Sequence, residues 1–466
     1  MSTRLPMGPP QPAPRATQAI SYEDLYARWE KGNWRATELD FTQDRIDWRE
    51  KFSDLERRAA LWNYSMFFHG EDSVADNLSP YIDAAPLEEQ KYFLATQQVD
   101  EVRHAVFFNR FLREVVEVGG SGAPPAGNGR GPAASAKGAG AAINGRAANG
   151  AGAGTTGAGV GGTLAATRAE LTWGFRKTFA RLDRMGDELR RDRSRPKLAA
   201  AITLYHLVIE ASLAQPGQHF IESYLESRDV LPGFREGMRN VSFDEQRHIG
   251  FGVKLLSDLI AEDPRCVDAI VDILRKVLPY TTAVLVPPGW DRRYTECFGF
   301  TLEDIYEQGA MSFESKLRAA GVPPDAMERI PMPFELPPRQ RGERGIKMLE
   351  AGFLGEKLGP PSRDPDDVEM LFDSVRRQAD RRAVPDGTTI QWEFDDMDPW
   401  FLRLSNGSAE AIPGRADHPD LVLRSRWEDW IDLVAGREDP RRALLTRKLR
   451  PRGRIRTMLR LPKLLG

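Results

Sequence analysis

Two long stretches of the chain carry apolar residues at helical spacing, with charged residues at the positions between them. In the first stretch, Ser53 and Glu56 form a Ser-x-x-Glu capping box that opens "SDLERRAALWNYSMFFHGEDSVADNL" and predicts the start of a helix there. A second helix is predicted from Pro86 to Gly119, because proline suits the first turn of a helix and two glutamates follow it.

The second stretch repeats this arrangement farther along the chain. One long helix is predicted over residues 195–226, and another over "GFREGMRNVSFDEQRHIGFGVKLLSDLIAED". Further helices are predicted at 264–285, 302–320 and 341–355. The pattern therefore predicts a mostly α-helical protein with a main helical domain over residues 19–355.

Two segments lack the apolar residues that a packed core needs. Residues 1–18 are rich in proline, and residues 119–165 consist almost wholly of Gly, Ala, Ser, Asn and Pro. We expect a disordered N-terminal tail and a disordered insertion that interrupts the helical domain. The insertion need not divide that domain, because the closure entropy of a surface loop grows only slowly with its length.

After Pro360 the pattern changes from helical spacing to short alternating runs. The runs "TTIQWEFDD", "WFLRLSNGSAEAIPG" and "LVLRSR" contain Asn-Gly and Pro-Gly pairs and are typical of strands joined by turns. Helical patterns bracket them at 366–382 and in "WEDWIDLVAG". We predict a linker at 356–364 and a separate α+β domain at 365–466.

Composition and charge exclude several classes of protein. The 466 residues have a net charge of -3, so no global charge attracts nucleic acid. About ten Lys and Arg and no acid lie between Arg441 and Lys463, which fits either a basic binding face or a solvated charged face. Two cysteines cannot build a disulfide framework or a zinc cluster, and they fit a reducing compartment. With no apolar run of 18 residues and no secretion signal at the N-terminus, we expect a cytoplasmic protein without a transmembrane segment.

The two long stretches share a motif with metal-binding chemistry. The string "VDEVRHAVFF" at 99–108 returns as "FDEQRHIGFG" at 243–252. Glu101 and His104 stand three residues apart, as do Glu245 and His248, so each pair projects from one face of its helix. Carboxylates and imidazoles together form a ligand set that suits iron or manganese.

A dimetal site of this kind needs one further glutamate from each of two other helices. Glu71 and Glu210 lie in the preceding apolar helices, where an unpaired carboxylate would be costly. A single Glu-x-x-His pattern often occurs by chance on a helix surface, but two copies in matching contexts favour a dimetal site. The predicted ligands are Glu71, Glu101, His104, Glu210, Glu245 and His248.

An aspartate precedes the glutamate in each motif. A metal-bound histidine usually donates its second N–H to a carboxylate, and pseudo-twofold pairing would bring Asp100 to His248 and Asp244 to His104. The alternative is a surface salt bridge from each aspartate to a nearby arginine of its motif. The residues alone leave both interpretations open.

These residues resemble the ferritin-like superfamily of ribonucleotide reductase small subunits, and within it the ligand-binding oxidases that hold a manganese/iron pair. The resemblance covers roughly residues 22–320 without the insertion. It implies a ferritin-like four-helix bundle with extra helices, two metal ions per chain (manganese and iron, or two irons) and a possible homodimer. Reductases carry a radical tyrosine where this chain has Phe108, and most use aspartate where it has Glu71.

The resemblance also suggests a covalent modification. In the ligand-binding oxidases, a tyrosine five residues before the third glutamate forms an ether link to the Cβ of a valine three residues after the first glutamate. Tyr205 and Val74 hold those two positions here. Taken by itself, Tyr205 also fits a buried core tyrosine whose hydroxyl is hydrogen-bonded. We expect structural roles for His206 and His219.

The last hundred residues resemble the sterol carrier protein family, through the order of "IQWEFDD", "WFLRLSNGSAEAIPG" and the Arg-rich segment that follows. That family forms a small α+β sheet with an apolar tunnel for acyl chains or sterols. Either such a tunnel or a plain core would account for four aromatic residues: Trp392, Trp400, Trp427 and Trp430.

Together the two resemblances predict an O2-activating dimetal oxidase, monooxygenase or desaturase that acts on a long-chain lipid or an isoprenoid-like molecule. The electron donor and the substrate stay open. One alternative is a radical-generating reductase subunit, which Phe108 and the appended domain disfavour. Another is a lipid-binding metalloprotein without turnover.

Overall fold

The computed structural model describes residues 20–118, 159–405 and 407–465. The predicted disordered tail and residues 119–158 of the predicted insertion lie outside the described residues. Residues 160–165, which we assigned to the insertion, are helical, because Thr163 is buried there and Thr167 meets the imidazole of His69 at 3.0 Å.

The first half of the described chain is helical throughout. Its helices are α1 (Tyr22–Lys31), α2 (Thr42–Glu50), α3 (Asp54–Asn77), α4 (Ser79–Ala84), α5 (Glu88–Glu114), α6 (Val160–Thr167), α7 (Trp173–Arg191), α8 (Arg195–Ile202), a π-helix (Thr203–Ala214) and α9 (Gln215–Arg228). The capping box predicted at the start of α3 is present, with Ser53 and Glu56 each accepting a backbone N–H of the other.

The second half contains the remaining α-helices and all the described strands. Helices α10 (Pro232–Glu262), α11 (Arg265–Thr281), α12 (Arg293–Glu296), α13 (Leu302–Ala319), α14 (Pro324–Met327) and α15 (Pro338–Glu350) precede the C-terminal part. That part contains α16 (Pro365–Gln378), β1 (Thr389–Phe394), β2 (Trp400–Ser405), β3 (Ser408–Pro413), β4 (Leu421–Ser425), α17 (Trp427–Val434), α18 (Pro440–Leu445), β5 (Arg450–Gly453) and α19 (Ile455–Leu465).

The helix predicted over 195–226 is continuous but not regular. Between α8 and α9 its backbone widens into a π-helix over Thr203–Ala214, which carries Tyr205 and Glu210. π-Helical segments are rare and often occur at functional sites. The apolar spacing predicted a helix here, but it carried no signal for the wider turn.

Helices α3, α5, α10 and the π-helix pack as the central bundle, with α5 against α3 and α10 against the π-helix. Glycine allows one close approach within it, since a Cβ at Gly252 of α10 would lie 2.3 Å from the Cβ of His206. An aromatic core surrounds Phe107, Phe111 and Phe234 at one end of the bundle. The prediction of a mostly helical, ferritin-like architecture is confirmed.

The C-terminal part folds around a five-stranded mixed sheet in the order β3-β2-β1-β4-β5. Strands β1 and β4 run parallel, and the other neighbouring pairs are antiparallel. Phe372 of α16 stacks on Trp400 and Trp430, with ring centroids 4.4 and 5.2 Å apart, and Trp392 and Trp427 are fully buried beside them. These four tryptophans therefore form part of the core of this region.

A buried arginine joins the C-terminal part to the bundle. Arg275 of α11 donates to the carbonyl oxygen of Leu464 at 2.7 Å and to that of Gln378, and it pairs with Asp380 at 3.6 Å. Because the guanidinium is almost fully enclosed, its loss would remove one buried donor from each of these carbonyl groups.

One described helical segment, Arg195–Arg228, is long and apolar enough to cross a membrane. Of its most apolar window, 78% is buried inside the structure, which is typical of a core helix. Both cysteines, Cys266 and Cys297, are free.

Candidate metal centre

The structure brings six side chains from four helices into one buried cluster. None of them is more than 7% exposed. The cluster draws Glu71 from α3, Glu101 and His104 from α5, Glu210 from the π-helix, and Glu245 and His248 from α10. Their potential ligand atoms fall into two groups, and within each group the atoms lie within 4.8 Å of one another.

The first group gathers around Nδ1 of His104. This atom lies 3.3 Å from Oε2 of Glu71, 3.8 Å from Oε2 of Glu101 and 3.6 Å from Oε1 of Glu245. One imidazole and three carboxylates thus converge on one point.

The second group is its counterpart around Nδ1 of His248. That atom lies 3.3 Å from Oε1 of Glu101, 3.6 Å from Oε1 of Glu210 and 3.7 Å from Oε1 of Glu245. Glu101 and Glu245 belong to both groups, so these two carboxylates can bridge a pair of ions. The two imidazole centroids are 6.1 Å apart.

The second nitrogen of each imidazole meets an aspartate from the other motif. Nε2 of His104 lies 3.1 Å from Asp244, and Nε2 of His248 lies 3.1 Å from Asp100. With Nε2 protonated and donating to the carboxylate, Nδ1 of each ring is left with a lone pair directed at the cluster. The crossed pairing therefore fixes the tautomer that a metal requires.

Arginines hold both aspartates in place. Arg247 donates to Asp100 at 2.9 Å and to Asp244 at 2.7 Å, and Arg103 donates to Asp244 at 2.9 Å and also to Asp100. These salt bridges are buried, not on the surface as the alternative interpretation expected, and each aspartate also contacts a histidine.

Two indoles complete the hydrogen bonding of the aspartates. Trp29 donates to Asp100 at 2.9 Å, and Trp34 donates to Asp244 at 2.8 Å. Both tryptophans come from the region of α1 and the loop after it, which packs on α5. The sequence analysis missed both, because no short-range pattern connects them to the motifs.

Burial raises the pKa of Glu71 and of Glu210 well above the usual range of a carboxyl, and the neighbouring carboxylates add to this effect. For His104, burial by itself would lower the pKa. The charges of Glu71 and Asp244 outweigh this effect and raise the pKa well above the usual value. Crowded carboxylates of this kind are stable only with protons or cations between them.

The charge of the cluster fits two divalent ions. The two aspartates are balanced by Arg103 and Arg247, and the imidazoles are neutral when they donate through Nε2. Four glutamates then remain, which two divalent cations would neutralise. Three buried atoms also lack a hydrogen-bond partner and lie where an ion would contact them: Oε2 of Glu210, Oε2 of Glu245 and Nδ1 of His248. The cluster is able to bind two metal ions.

Tyr205 and Gln97 extend the cluster on one side. The Tyr205 hydroxyl donates to Oε1 of Glu101 at 2.6 Å, and Nε2 of Gln97 donates to that hydroxyl at 2.7 Å and to Glu210 at 2.8 Å. His206 does not face the cluster but reaches the Gln97 side-chain carbonyl at 3.2 Å. Gln97 lies one turn before Glu101 on α5, which is the only sequence signal that would have identified it.

An apolar cavity opens on the cluster, and we call it the metal cavity. Its volume is about 70 Å³. Four of the six predicted ligands line it together with Val74, Tyr205, Met66, Phe67, Phe175, Phe179, Ile209, Leu213, Val284 and Leu285. Val74 and Tyr205 thus line the same cavity as the four glutamates.

Phe108 occupies the position where reductases carry their radical tyrosine. The ring is fully buried and packs against Phe67, Phe107 and Phe234, with centroids 5.7, 4.9 and 6.0 Å away. No oxidisable hydroxyl stands at this position.

Comparison with known families identifies both parts of the chain. Residues 17–118 match the family model described as ribonucleotide reductase, small chain, and residues 371–466 match that of the SCP-2 sterol transfer family. The helical part has the ribonucleotide reductase small-chain fold. The C-terminal sheet and its helices form an SCP-2 domain.

Solved structures match over a longer part of the helical region. A glycine-to-leucine mutant of an R2-like ligand-binding oxidase with anaerobically reconstituted Mn/Fe cofactor is 18% identical, with a TM-score of 0.50 over 66% of this chain and 96% of that chain. A tyrosine-to-phenylalanine mutant with aerobically reconstituted Mn/Fe cofactor gives 18% identity and a TM-score of 0.50 over 65% and 94%. The R2-like ligand-binding oxidase from Sulfolobus acidocaldarius is 22% identical, with a TM-score of 0.48 over 69% and 94%. The first two likenesses establish the fold.

Proposed function

We propose that the protein is an O2-activating dimetal oxidase or oxygenase that acts on a hydrophobic, lipid-like substrate. The observation that carries the proposal is the opening of the four glutamates of a buried carboxylate–imidazole cluster onto one apolar cavity. The metal cavity thus combines carboxylate ligands for metal ions with apolar side chains that suit a hydrophobic substrate. This combination suits chemistry on a C–H bond.

Six side chains would hold the ions, and Glu101 and Glu245 belong to both groups of potential ligands: Glu71, Glu101, His104, Glu210, Glu245 and His248. Mixed carboxylate and imidazole donors suit manganese and iron, or two irons, better than zinc or copper. The Mn/Fe cofactor named for the structurally similar oxidases supports the first pair. When bound, these ions supply the electrons and open coordination positions that reduce O2.

The residues of the chain orient and enclose this chemistry. Asp244 and Asp100 hold the imidazoles through Nε2, so Nδ1 of each ring stays directed at the cluster. Phenylalanine, leucine and valine side chains around the metal cavity exclude water and leave space for an alkyl segment. The side-chain amide of Gln97 donates hydrogen bonds to both the Tyr205 hydroxyl and the Glu210 carboxylate, and so it fixes the positions of both groups.

We also propose that Tyr205 and Val74 become joined by an ether link between the phenol oxygen and the valine Cβ. The O–H bond of Tyr205 and the Cβ–H bond of Val74 break, and one O–C bond forms. Two electrons and two protons leave the protein, and O2 is the acceptor. In support, both side chains line the metal cavity and the hydroxyl donates to the proposed bridging ligand Glu101.

The SCP-2 domain supports a lipid as the substrate class, because its family is one of sterol transfer. Phe108 disfavours a radical-generating reductase subunit, because a phenylalanine has no phenolic hydroxyl that could form a tyrosyl radical. Its ring neighbours Phe67 and Phe107 have none either. The homodimer implied by the resemblance stays a prediction. Two free cysteines fit the reducing cytoplasm, which we propose as the location.

The first experiment measures metal content and O2 consumption together. We expect about two metal ions per chain and O2 uptake with a reductant and a lipid extract, both lost in Glu101→Gln. Glu88→Gln, on the exposed first turn of the same helix, is the matched control and retains both. Metal binding without O2 uptake above that of the metal-free protein would instead identify a non-catalytic lipid-binding metalloprotein.

The second experiment tests the cross-link by intact-mass spectrometry. After aerobic metal loading, the wild-type chain should lose the mass of two hydrogen atoms, and Tyr205→Phe should not. An unchanged wild-type mass after full metal loading would exclude the link and leave Tyr205 as a hydrogen-bond donor to Glu101.

A further inference from the structure

The C-terminal helix α19 has one side in the core of the SCP-2 domain and one side in solvent. Met458, Leu461 and Leu464 pack into that core, and Thr457 beside them is 6% exposed. The opposite side presents five exposed side chains, and we call it the α19 face: Ile455, Arg456, Leu459, Arg460 and Lys463. Residues three or four positions apart are neighbours on a helix, so these five form one continuous surface.

Two aliphatic side chains of the α19 face extend into solvent. Ile455 is 68% exposed and Leu459 is 72% exposed, and they lie one turn apart. The preceding helix α18 shows the same combination of residues, since Leu445 is 85% exposed and Arg441 lies one turn before it. Exposed apolar residues that occur singly need no explanation, but neighbours on one helix face can enter an apolar phase together.

The same segment carries an excess of positive charge. Between Arg441 and Lys463 there are ten Lys and Arg and no Asp or Glu. Four of the ten pair with carboxylates elsewhere in the domain: Arg442, Lys448, Arg450 and Arg454. Within the described part of the chain the other six form no ion pair, and they include all three cations of the α19 face. This face therefore attracts anions from outside the protein.

Exposed aliphatic side chains next to unpaired cations fit one kind of partner best. An anionic lipid surface attracts Lys and Arg, and its headgroup region accepts aliphatic side chains of the same helix. The long cationic side chains can extend to lipid phosphates while Ile455 and Leu459 reach the acyl boundary. A stable protein interface buries roughly 800 Å² on each side, whereas the α19 face offers two aliphatic side chains on a single helix. Nucleic acid would use the charges but leave both aliphatic side chains in water.

We propose that the α19 face docks on the surface of a membrane that contains anionic lipids, with its two aliphatic side chains among the headgroups and its three cations at lipid phosphates. The contact is peripheral, because the other side of α19 stays in the core of the SCP-2 domain. Docking holds this domain at a bilayer, where hydrophobic molecules of the proposed substrate class dissolve. The inference concerns a different part of the chain from the candidate metal centre and goes beyond the proposed function.

Cosedimentation of the full chain with phosphatidylcholine vesicles, prepared with and without phosphatidylserine, tests the docking. We expect binding only when phosphatidylserine is present, and weaker binding as the salt concentration rises. The double variant Arg456→Gln/Arg460→Gln should lower the partition coefficient about 10-fold or more, because each cation near an anionic surface contributes about fivefold. The matched control is Arg113→Gln/Arg191→Gln on α5 and α7, which removes two exposed arginines that form no ion pair with the described residues. It should bind as the wild type does.

A second variant, Leu459→Ser, tests the apolar part of the contact. It should weaken binding to the anionic vesicles about fivefold or more, whereas Ile46→Ser, which removes an exposed aliphatic side chain from α2, should not. Equal binding to vesicles with and without phosphatidylserine would overturn the proposal, as would unchanged binding of Arg456→Gln/Arg460→Gln.

Soluble polyglutamate distinguishes a membrane from an acidic protein surface. If polyglutamate bound the wild type as tightly as the anionic vesicles and Leu459→Ser bound both normally, the α19 face would recognise acidic proteins instead, and the membrane proposal would be wrong. Vesicle binding requires neither metal nor O2, so its absence would leave the proposed oxidase function unaffected.

Discussion

Nε2 of His104 lies 3.1 Å from the carboxylate of Asp244, a residue 140 positions farther along the chain. The reciprocal contact joins His248 to Asp100 at the same distance. Each imidazole at the candidate metal centre is therefore oriented by the opposite half of the sequence.

This crossed pairing predicts the effect of Asp244→Asn. The amide removes the negative charge that holds the Nε2 proton of His104 and leaves Arg103 and Arg247 with one carboxylate less. We expect metal affinity to fall by about 10- to 100-fold. Metal content after dialysis against a weak chelator measures this, and Asp187→Asn on the surface of α7 is the control. Unchanged metal retention in Asp244→Asn would mean that the aspartate does not act on the ligand.

The close approach of α10 to the π-helix predicts opposite effects of two glycine substitutions on one helix. A Cβ at Gly252 would lie 2.3 Å from His206, whereas a Cβ at Gly250 has no neighbour within 4 Å. Gly252→Ala should lower the free energy of unfolding by about 1–3 kcal/mol or more and reduce metal content, because it separates the helices that carry Glu210 and Glu245. Gly250→Ala should raise stability by up to about 1 kcal/mol. Thermal unfolding of both variants distinguishes packing from helix propensity, and similar midpoints for the two would refute the packing argument.

The capping box of α3 predicts a dependence of stability on pH. Burial raises the pKa of Glu56, but hydrogen bonds from Ser53, Tyr224 and Arg228 outweigh it and lower the pKa to about 2. Because the folded-state pKa lies below the 4.5 that is usual for a glutamate, the contribution to stability is present above pH 4.5 and is lost as the pH falls toward about 2. Glu56→Gln should therefore cost about 1 kcal/mol at pH 7 and less at pH 3.

Urea unfolding of wild type and Glu56→Gln at the two pH values measures this difference. Glu50→Gln, on the exposed end of α2, should change little at either pH. A cost for Glu56→Gln that is equal at pH 3 and pH 7 would assign its effect to packing instead of charge.

The buried Arg275 predicts that the SCP-2 domain depends on the bundle for its local stability. Arg275→Met removes one donor from each of the carbonyl groups of Leu464 and Gln378. Amide hydrogen exchange should accelerate in α19 and around Asp380, whose own N–H donates to Leu464 at 2.8 Å. Lys276→Met, on the exposed side of the same helix, should leave the exchange rates unchanged. Equal exchange in both variants would show that the contact contributes nothing.

Local sequence patterns predicted most of the long helices, the strands β1 to β4 and the capping box at Ser53, because each depends on residues a few positions apart. Helices α1, α2, α7 and α19 were not predicted. Strand β5 was missed, since "RPRG" has no alternation and pairs only because β4 lies beside it. The π-helix was missed because a wider turn leaves the apolar spacing of Thr203–Ala214 nearly unchanged.

For the candidate site, the repeated Asp-Glu-x-Arg-His string led to eight residues that the structure brings together. Trp29, Trp34 and Gln97 were not identified, since each acts through a hydrogen bond to an aspartate, a hydroxyl or a glutamate far away in sequence.

The crossed contacts also relate the two halves of the sequence by an approximate twofold symmetry. Each group of potential ligands takes residues from both halves of the sequence, so neither half alone contains a complete group. Two identical copies of one such half, related by a twofold axis, would reproduce the exchange of aspartates between histidines. The two halves of the chain therefore meet as the subunits of a twofold dimer do, with their shared interface inside a single chain.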